Sequence, residues 1–166
     1  MARQTQDEVD RLVEAWRRER PDLDVAPLEV LSRVSRLARH LDLVRRRALE
    51  RHDLEAWEFD VLTALRRTGE PYELSPTALL RATLVTSGTM TNRIQRLTAS
   101  GLVSRHPDPR DGRGARIRLT GRGRRTADAV LTELLAEEQK LLASLDGGQR
   151  DMLAGLLRTL LLPFDN

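Results

Sequence analysis

Cysteine is absent from the 166-residue chain, lysine occurs once (Lys140), and no apolar run approaches the length of a membrane span. The first absence excludes disulfides, thiolate metal sites and cysteine-based peroxide sensing. The last absence, with an N-terminus (Met1-Ala2-Arg3-Gln4) that opens a charged helical pattern rather than an apolar leader, leads us to expect a cytoplasmic protein with no membrane partner. Positive charge is carried almost entirely by arginine, a pattern that genomic composition alone can produce. The formal net charge is only +3, so the global balance does not mark a nucleic-acid binder. Enzyme signals are also missing. His40, His52 and His106 fall in different elements, and no two have metal-ligand spacing. Gly112-Arg113-Gly114 and Gly121-Arg122-Gly123 read as turns, not cofactor motifs. No catalytic residue, metal or cofactor is expected.

What is present is a local surplus. From Arg93 to Arg125 there are ten arginines against two acidic residues, Asp108 and Asp111. The stretch from Ser75 to Thr120 reads as a winged helix-turn-helix, a device for reading double-stranded DNA. Ser75-Pro76 starts a short helix, with a hydroxyl cap followed by proline where its missing N–H costs nothing. After a break near Leu84-Val85-Thr86, Thr86 or Ser87 can cap a second helix. There Met90, Ile94 and Leu97, at spacings of four and three, form the buried face. The opposite face carries Gly88, Thr91, Asn92, Gln95 and, nearer its edge, Arg96. Asn and Gln bond adenine bidentately, and Thr offers a methyl or a hydroxyl. With Ser87 and Thr89 at the helix start, these are the candidate DNA-contacting residues. Gly101 ends the helix. Leu102-Val103-Ser104-Arg105 and Ala115-Arg116-Ile117-Arg118-Leu119 then alternate as strands around a long Arg- and Gly-rich connection. That connection would present Arg110, Arg113 and Arg116 to phosphates or a narrow minor groove.

The flanks read as helical scaffold. Thr5 with Glu8 predicts a capping box for a helix to about Arg18, bearing Val9, Leu12, Val13 and Trp16. Pro27 starts a long helix to about Arg51, with Leu28, Leu31, Val34, Leu37, Ala38, Leu41, Val44 and Ala48 as its core stripe. Asp53 would cap a helix from Glu55 to Arg67, carrying Trp57, Phe59, Val61, Leu62 and Leu65. Beyond Thr120 a helix runs to about Leu142. Asp146 with Gln149 caps a last helix bearing Met152, Leu153, Leu156, Leu157, Leu160 and Leu161. That stripe is wider than one neighbouring helix covers, which favours a homodimer over an intrachain bundle and, with two-fold symmetry, a palindromic operator.

Val85 to Leu97, Gly101-Leu102-Val103-Ser104-Arg105, Asp108-Pro109-Arg110-Asp111-Gly112-Arg113-Gly114 and Leu119-Thr120-Gly121-Arg122-Gly123 resemble, in order, the pattern of the MarR family of bacterial transcriptional regulators. The resemblance covers nearly the whole chain. It implies a mostly α fold with a small β-wing: a winged helix-turn-helix on a helical dimerisation scaffold. Residues 1–52 would contribute N-terminal dimerisation helices, 53–120 the DNA-binding domain and 121–166 the C-terminal dimerisation helices. It also implies repression relieved by a small molecule, with Arg110 and Arg113 in the minor groove and Asp111 orienting them.

A narrower resemblance is to the urate-responsive subgroup with an extra N-terminal helix. It implies a ligand set of Trp16, Asp60 (in Glu58-Phe59-Asp60-Val61-Leu62), Arg93 and Arg105. Two arginines, an aspartate and an indole suit a planar organic anion. The alternative for Asp60 is a structural salt bridge to Arg93 or Arg105. A urate-like acid and a di- or tricarboxylate such as citrate or aconitate fit equally, and phenolic compounds stay open. A DNA-binding architectural protein with no effector is the rival function.

Overall fold

Residues 6–83, 87–109 and 111–164 are described by the structure, a computed structural model, with the side chains at 87 and 111–113 outside that description. Two compact units divide between Arg45 and Arg46, within one long helix.

In the first unit, α1 (Glu8–Glu19) starts at Asp7. Its carboxylate accepts the N–H groups of Val9 (2.7 Å) and Asp10 (3.1 Å), and Asp10 in turn accepts the N–H of Asp7 (2.7 Å). This reciprocal cap takes the place of the expected Thr5–Glu8 pair. Thr5 lies outside the described residues, and Glu8, as the first helical residue, stands two positions too early to reach back. α2 (Ala26–Arg51) carries Pro27 in its first turn, with Asp24 accepting the N–H of Ala26 (3.0 Å). Val9, Val13 and Val25 are buried together, with Leu28 against them. Around that small core Arg33 binds Asp7 (2.8 Å) and Asp10 (2.6 Å), and Arg36 pairs with Glu8. The expected α2 core stripe is not a core within the protomer. Leu31, Val34 and Leu37 are exposed, and of the eight positions only Ala48 is buried.

The second unit begins with the end of α2. Asp53, read in the sequence as the cap of the next helix, terminates this one instead. It adopts a left-handed φ of 51°, its N–H reaches Glu50 O (3.2 Å), and Leu54 N–H reaches Leu49 O (3.0 Å). That pair of bonds satisfies the orphan carbonyls of a helix end, and the buried Leu49 and Leu54 supply the apolar contact that accompanies it. Glu55 is therefore the residue before α3 (Ala56–Arg66), and its N–H is accepted by the buried Glu58 (3.0 Å).

After α3 come β1 (Glu73–Leu74), α4 (Pro76–Thr83), α5 (Ser87–Ala99), β2 (Val103–Asp108), β3 (Asp111–Leu119), α6 (Gly121–Leu141) and α7 (Gly147–Leu161). Single 3-10 turns follow α6 and α7. The sheet is antiparallel in the order β1-β3-β2, with Leu74 opposite Ile117 and Val103 opposite Leu119. β1, two residues long, is too short to leave a periodic signal, and the sequence reading passed over it. Leu62 and Leu65 of α3, Leu79 of α4, Met90 and Leu97 of α5 and Ile117 of β3 are all fully buried, which makes the helix-turn-helix and wing one packed body. α3 packs on α6, and His52–Glu133 (3.1 Å) and Arg66–Asp128 (2.8 Å) tie the edges. The result is a mostly α fold with a three-stranded wing sheet. α7, capped by Asp146 and Gln149 as expected, buries none of its residues.

Candidate nucleic-acid interface

α4 opens at Ser75, whose hydroxyl accepts the N–H of Ala78 (3.2 Å), with Pro76 as the first helical residue. α5 then lays Met90, Ile94 and Leu97 into the core. Thr89, Thr91, Asn92, Gln95 and Arg96 are all exposed along the opposite side, as the spacing requires. Ser87 is the first residue of α5; its side chain and Thr86 lie outside the described residues. The helix ends at Gly101 (φ 71°), where Leu102 N–H bonds Leu97 O (3.0 Å) and Gly101 N–H bonds Thr98 O (3.0 Å). That termination needs a left-handed residue, and glycine takes it without a Cβ penalty.

The turn from wing to α6 accounts for the Leu-Thr-x-x-Gly pattern. Thr120 accepts the N–H of Gly123 (3.0 Å) and donates to Gly101 O (2.8 Å), joining the end of α5 to the start of α6. A Cβ on Gly123 would lie 2.0 Å from Leu102 O, so only glycine fits.

The wing corrects the sequence reading. The long connection over 107–114 is mostly strand: β2 continues to Asp108 and β3 begins at Asp111, with a register shift at Pro107/Asp108. Strand pairing there satisfies backbone groups that the Gly- and Pro-rich composition hid. Arg116 is half-buried and bound to Asp108 (2.7 Å), whose side chain is only 10% exposed. The Arg116 guanidinium therefore braces the hairpin. Arg118 is bound to Glu73 on β1 (2.7 Å). Arg110 lies outside the described residues, and Arg113 belongs to β3 with its side chain undescribed.

The four ligand-set residues lie on four different elements. Trp16 is on α1 in the first unit and 47% exposed. Asp60 is exposed on α3, Arg105 is exposed on β2 opposite Ile117, and Arg93 is half-buried on α5. Asp60 is not a free carboxylate. Arg93 stacks on Trp57, its guanidinium carbon 5.2 Å from the indole centroid, and Arg96 lies on the same indole at 4.8 Å. Trp57 donates its indole N–H to Glu55 (2.5 Å), and Glu55 also pairs with Arg96. The Arg96 guanidinium first, and the Trp57 N–H second, hold the Glu55 carboxyl below its ordinary range. An open pocket of about 390 Å³ adjoins this cluster, lined by Trp57, Gly88, Thr89, Asn92, Arg93 and Arg96.

The sequence reading placed Trp57 among the apolar positions of this helix and gave it no site role; it is half-buried in the first turn of α3, two residues from Glu55.

A short helix, a second helix with a polar exposed face and an antiparallel wing define a winged helix-turn-helix DNA-binding protein. The sequence model of the MarR family matches residues 52–114. The chain is 35% identical to the transcriptional regulator PecS of Dickeya dadantii over 90% of both chains. It is 31% identical to the transcriptional repressor NicR of Pseudomonas putida over 84% of this chain and 89% of that one. Among solved structures, Bordetella bronchiseptica BpsR, whose DNA binding is regulated by 6-hydroxynicotinic acid, superposes with a TM-score of 0.63 at 26% identity, covering 79% of this chain and 91% of that one. The chain belongs to the MarR family of transcriptional regulators, and is not an enzyme.

Proposed function

We propose that the protein is a repressor that binds a palindromic operator as a homodimer and is released by a small organic anion. The observation that carries the DNA half is the exposed stripe of Thr89, Asn92, Gln95 and Arg96 on α5, directly opposite the buried Met90, Ile94 and Leu97. Thr89, Asn92 and Gln95 read base edges in a major groove, while Ser87, Thr91, Arg96 and wing residues Arg110 and Arg113 contact backbone or minor groove. Arg116 serves the wing through Asp108. Dimerisation falls to the helices of 1–52 and 121–166, on either side of the winged domain at 53–120. Its support is the uncovered apolar side of α7, where Met152, Leu156, Leu160 and Leu161 are each at least half exposed.

Release by an anion draws on the regulation of BpsR by an aromatic acid. It also draws on the pairing of cationic Arg93 and Arg105 with Asp60 and Trp16 in the narrower resemblance. Arg105 has no acidic partner among the described residues, so its fork is available to a carboxylate or enolate. An anion held against Arg93 would act on α5 itself and so favour one of two orientations of the reading helix.

The test is a fluorescence-anisotropy titration of the dimer on the DNA upstream of its own gene, at fixed salt, against random duplex. Urate, citrate and trans-aconitate are added singly. Operator-selective binding that one anion reverses is the expected result. Selective binding indifferent to every anion would instead mark an effector-independent DNA-binding protein.

A further inference from the structure

The cluster at the start of α3 brings two cations and a carboxylate onto one indole. Trp57 is only half-buried and carries the Arg96 and Arg93 guanidinium groups on its ring, at 4.8 and 5.2 Å. Stacking occupies the faces of a guanidinium but leaves its N–H donors pointing outward in the plane. Among the described residues, Arg93 makes no hydrogen bond or salt bridge with those donors, while Arg96 spends one on Glu55. Both arginines border the open pocket beside Thr89 and Asn92, on the exposed side of α5.

We propose that Trp57 is the platform of an oxyanion site on the recognition helix, where Arg93 and Arg96 together take one backbone phosphate of DNA and Glu55 holds Arg96 until they do. The proposal rests on the DNA-binding reading above and extends it to Glu55, Trp57 and Arg93. A carboxylate presents two oxygens to a guanidinium much as a phosphate does, so Glu55 keeps Arg96 in a phosphate-ready position. Its side chain is 54% exposed, at the rim where an incoming strand can displace it. A phosphate of DNA fits this pocket, and because Arg93 also belongs to the effector set proposed above, an effector anion would draw the same guanidinium away from it. The pocket is open, and its single aromatic wall already bears two cations, so a small molecule would bury little apolar surface there. A phosphate arrives positioned by the docking of the whole helix.

The experiment measures DNA affinity against salt concentration for the full-length protein and for Arg93→Gln, Trp57→Leu, Trp57→Phe, Glu55→Gln and the double variant Glu55→Gln/Arg96→Gln. Loss of one phosphate contact lowers the slope of log affinity on log salt by about 0.9. Arg93→Gln and Trp57→Leu should weaken binding several-fold and flatten the slope toward that change. Trp57→Phe, which keeps an aromatic platform, should restore both. Glu55→Gln should tighten binding several-fold, a gain that vanishes once Arg96 is also replaced.

Unchanged affinity and slope in Trp57→Leu and Arg93→Gln would overturn the proposal, as would a Glu55→Gln gain that persists without Arg96. A second arm titrates DNA-free Trp16→Phe protein, where Trp57 is the only indole, with inorganic phosphate and with benzoate. No saturable fluorescence change is expected; a saturable one that duplex DNA competes away would reassign the site to a small anion. Failure of the wild type to prefer any duplex would sink the DNA-binding reading itself. Wild-type binding with an indifferent Trp57→Leu sinks only the platform.

Discussion

Gly123 and Gly101 stand on either side of the wing for different physical reasons, and substitution separates them. At Gly123 the obstacle is space. A methyl group would press on the carbonyl of Leu102 (2.0 Å to O, 2.9 Å to C), so α6 must withdraw from the wing. Gly123→Ala is expected to destabilise by about 1–3 kcal/mol, the usual cost of overpacking, seen as a lower denaturant midpoint at unchanged m-value. At Gly101 nothing lies within 4 Å of a Cβ, and the requirement is conformational. Arg116 illustrates the opposite kind of residue, one whose charge advertised a phosphate contact while its bond to Asp108 gives it structural work. Arg116→Ala should therefore weaken DNA binding through a disordered wing. The salt slope should move by well under the roughly 0.9 expected for a lost phosphate contact. A full unit of slope change with an intact hairpin would return Arg116 to the DNA.

At the scale of elements, the end-caps decide where helices start and stop, and one of them titrates. Arg33 holds the Asp7 carboxyl down to about 2, from an ordinary 3.8. A lowered carboxylate pKa contributes stability that is complete above the unfolded value and is lost as pH falls through the folded one. The contact of α1 with Arg33 should thus persist at neutral and mildly acidic pH and fail between about pH 4 and 2. Trp16 fluorescence in a Trp57→Phe background reports it, and Asp7→Asn should abolish the transition. Because Asp7 and Arg33 are both well exposed, the pair orders α1 more than it stabilises the fold. α5 needs no such pairing at its buried face: Met90, Ile94 and Leu97 hold it by packing alone.

For the whole molecule, the governing fact is apolar surface left uncovered. Leu31, Val34 and Leu37 on α2 and Leu156, Leu160 and Leu161 on α7 are exposed in the protomer. Fully burying a leucine is worth roughly 1.5–3 kcal/mol, so a few such residues on each protomer supply a substantial association energy. Leu156→Glu with Leu160→Glu is expected to give a monomer in sedimentation. A two-site operator should then bind far more weakly, because each winged domain would dock alone. A dimer that survives both substitutions would place the interface elsewhere.

Sequence alone determined what depends on neighbours along the chain: the buried and exposed sides of α5, the Ser75-Pro76 and Asp146–Gln149 helix starts, the Gly101 stop, and the order of motifs that marks the family. Each follows from helical period or local capping chemistry, which act within a few residues. Tertiary structure decided what depends on partners distant in sequence. It paired Arg116 with Asp108, extended the wing strands through a Gly- and Pro-rich stretch, and added β1 to their edge. It also set Arg93 and Arg96 of α5 on an indole of α3, more than thirty residues away in the chain. Cation–π stacking, ion pairing and strand register are satisfied only when remote segments meet, so no period in the sequence announces them.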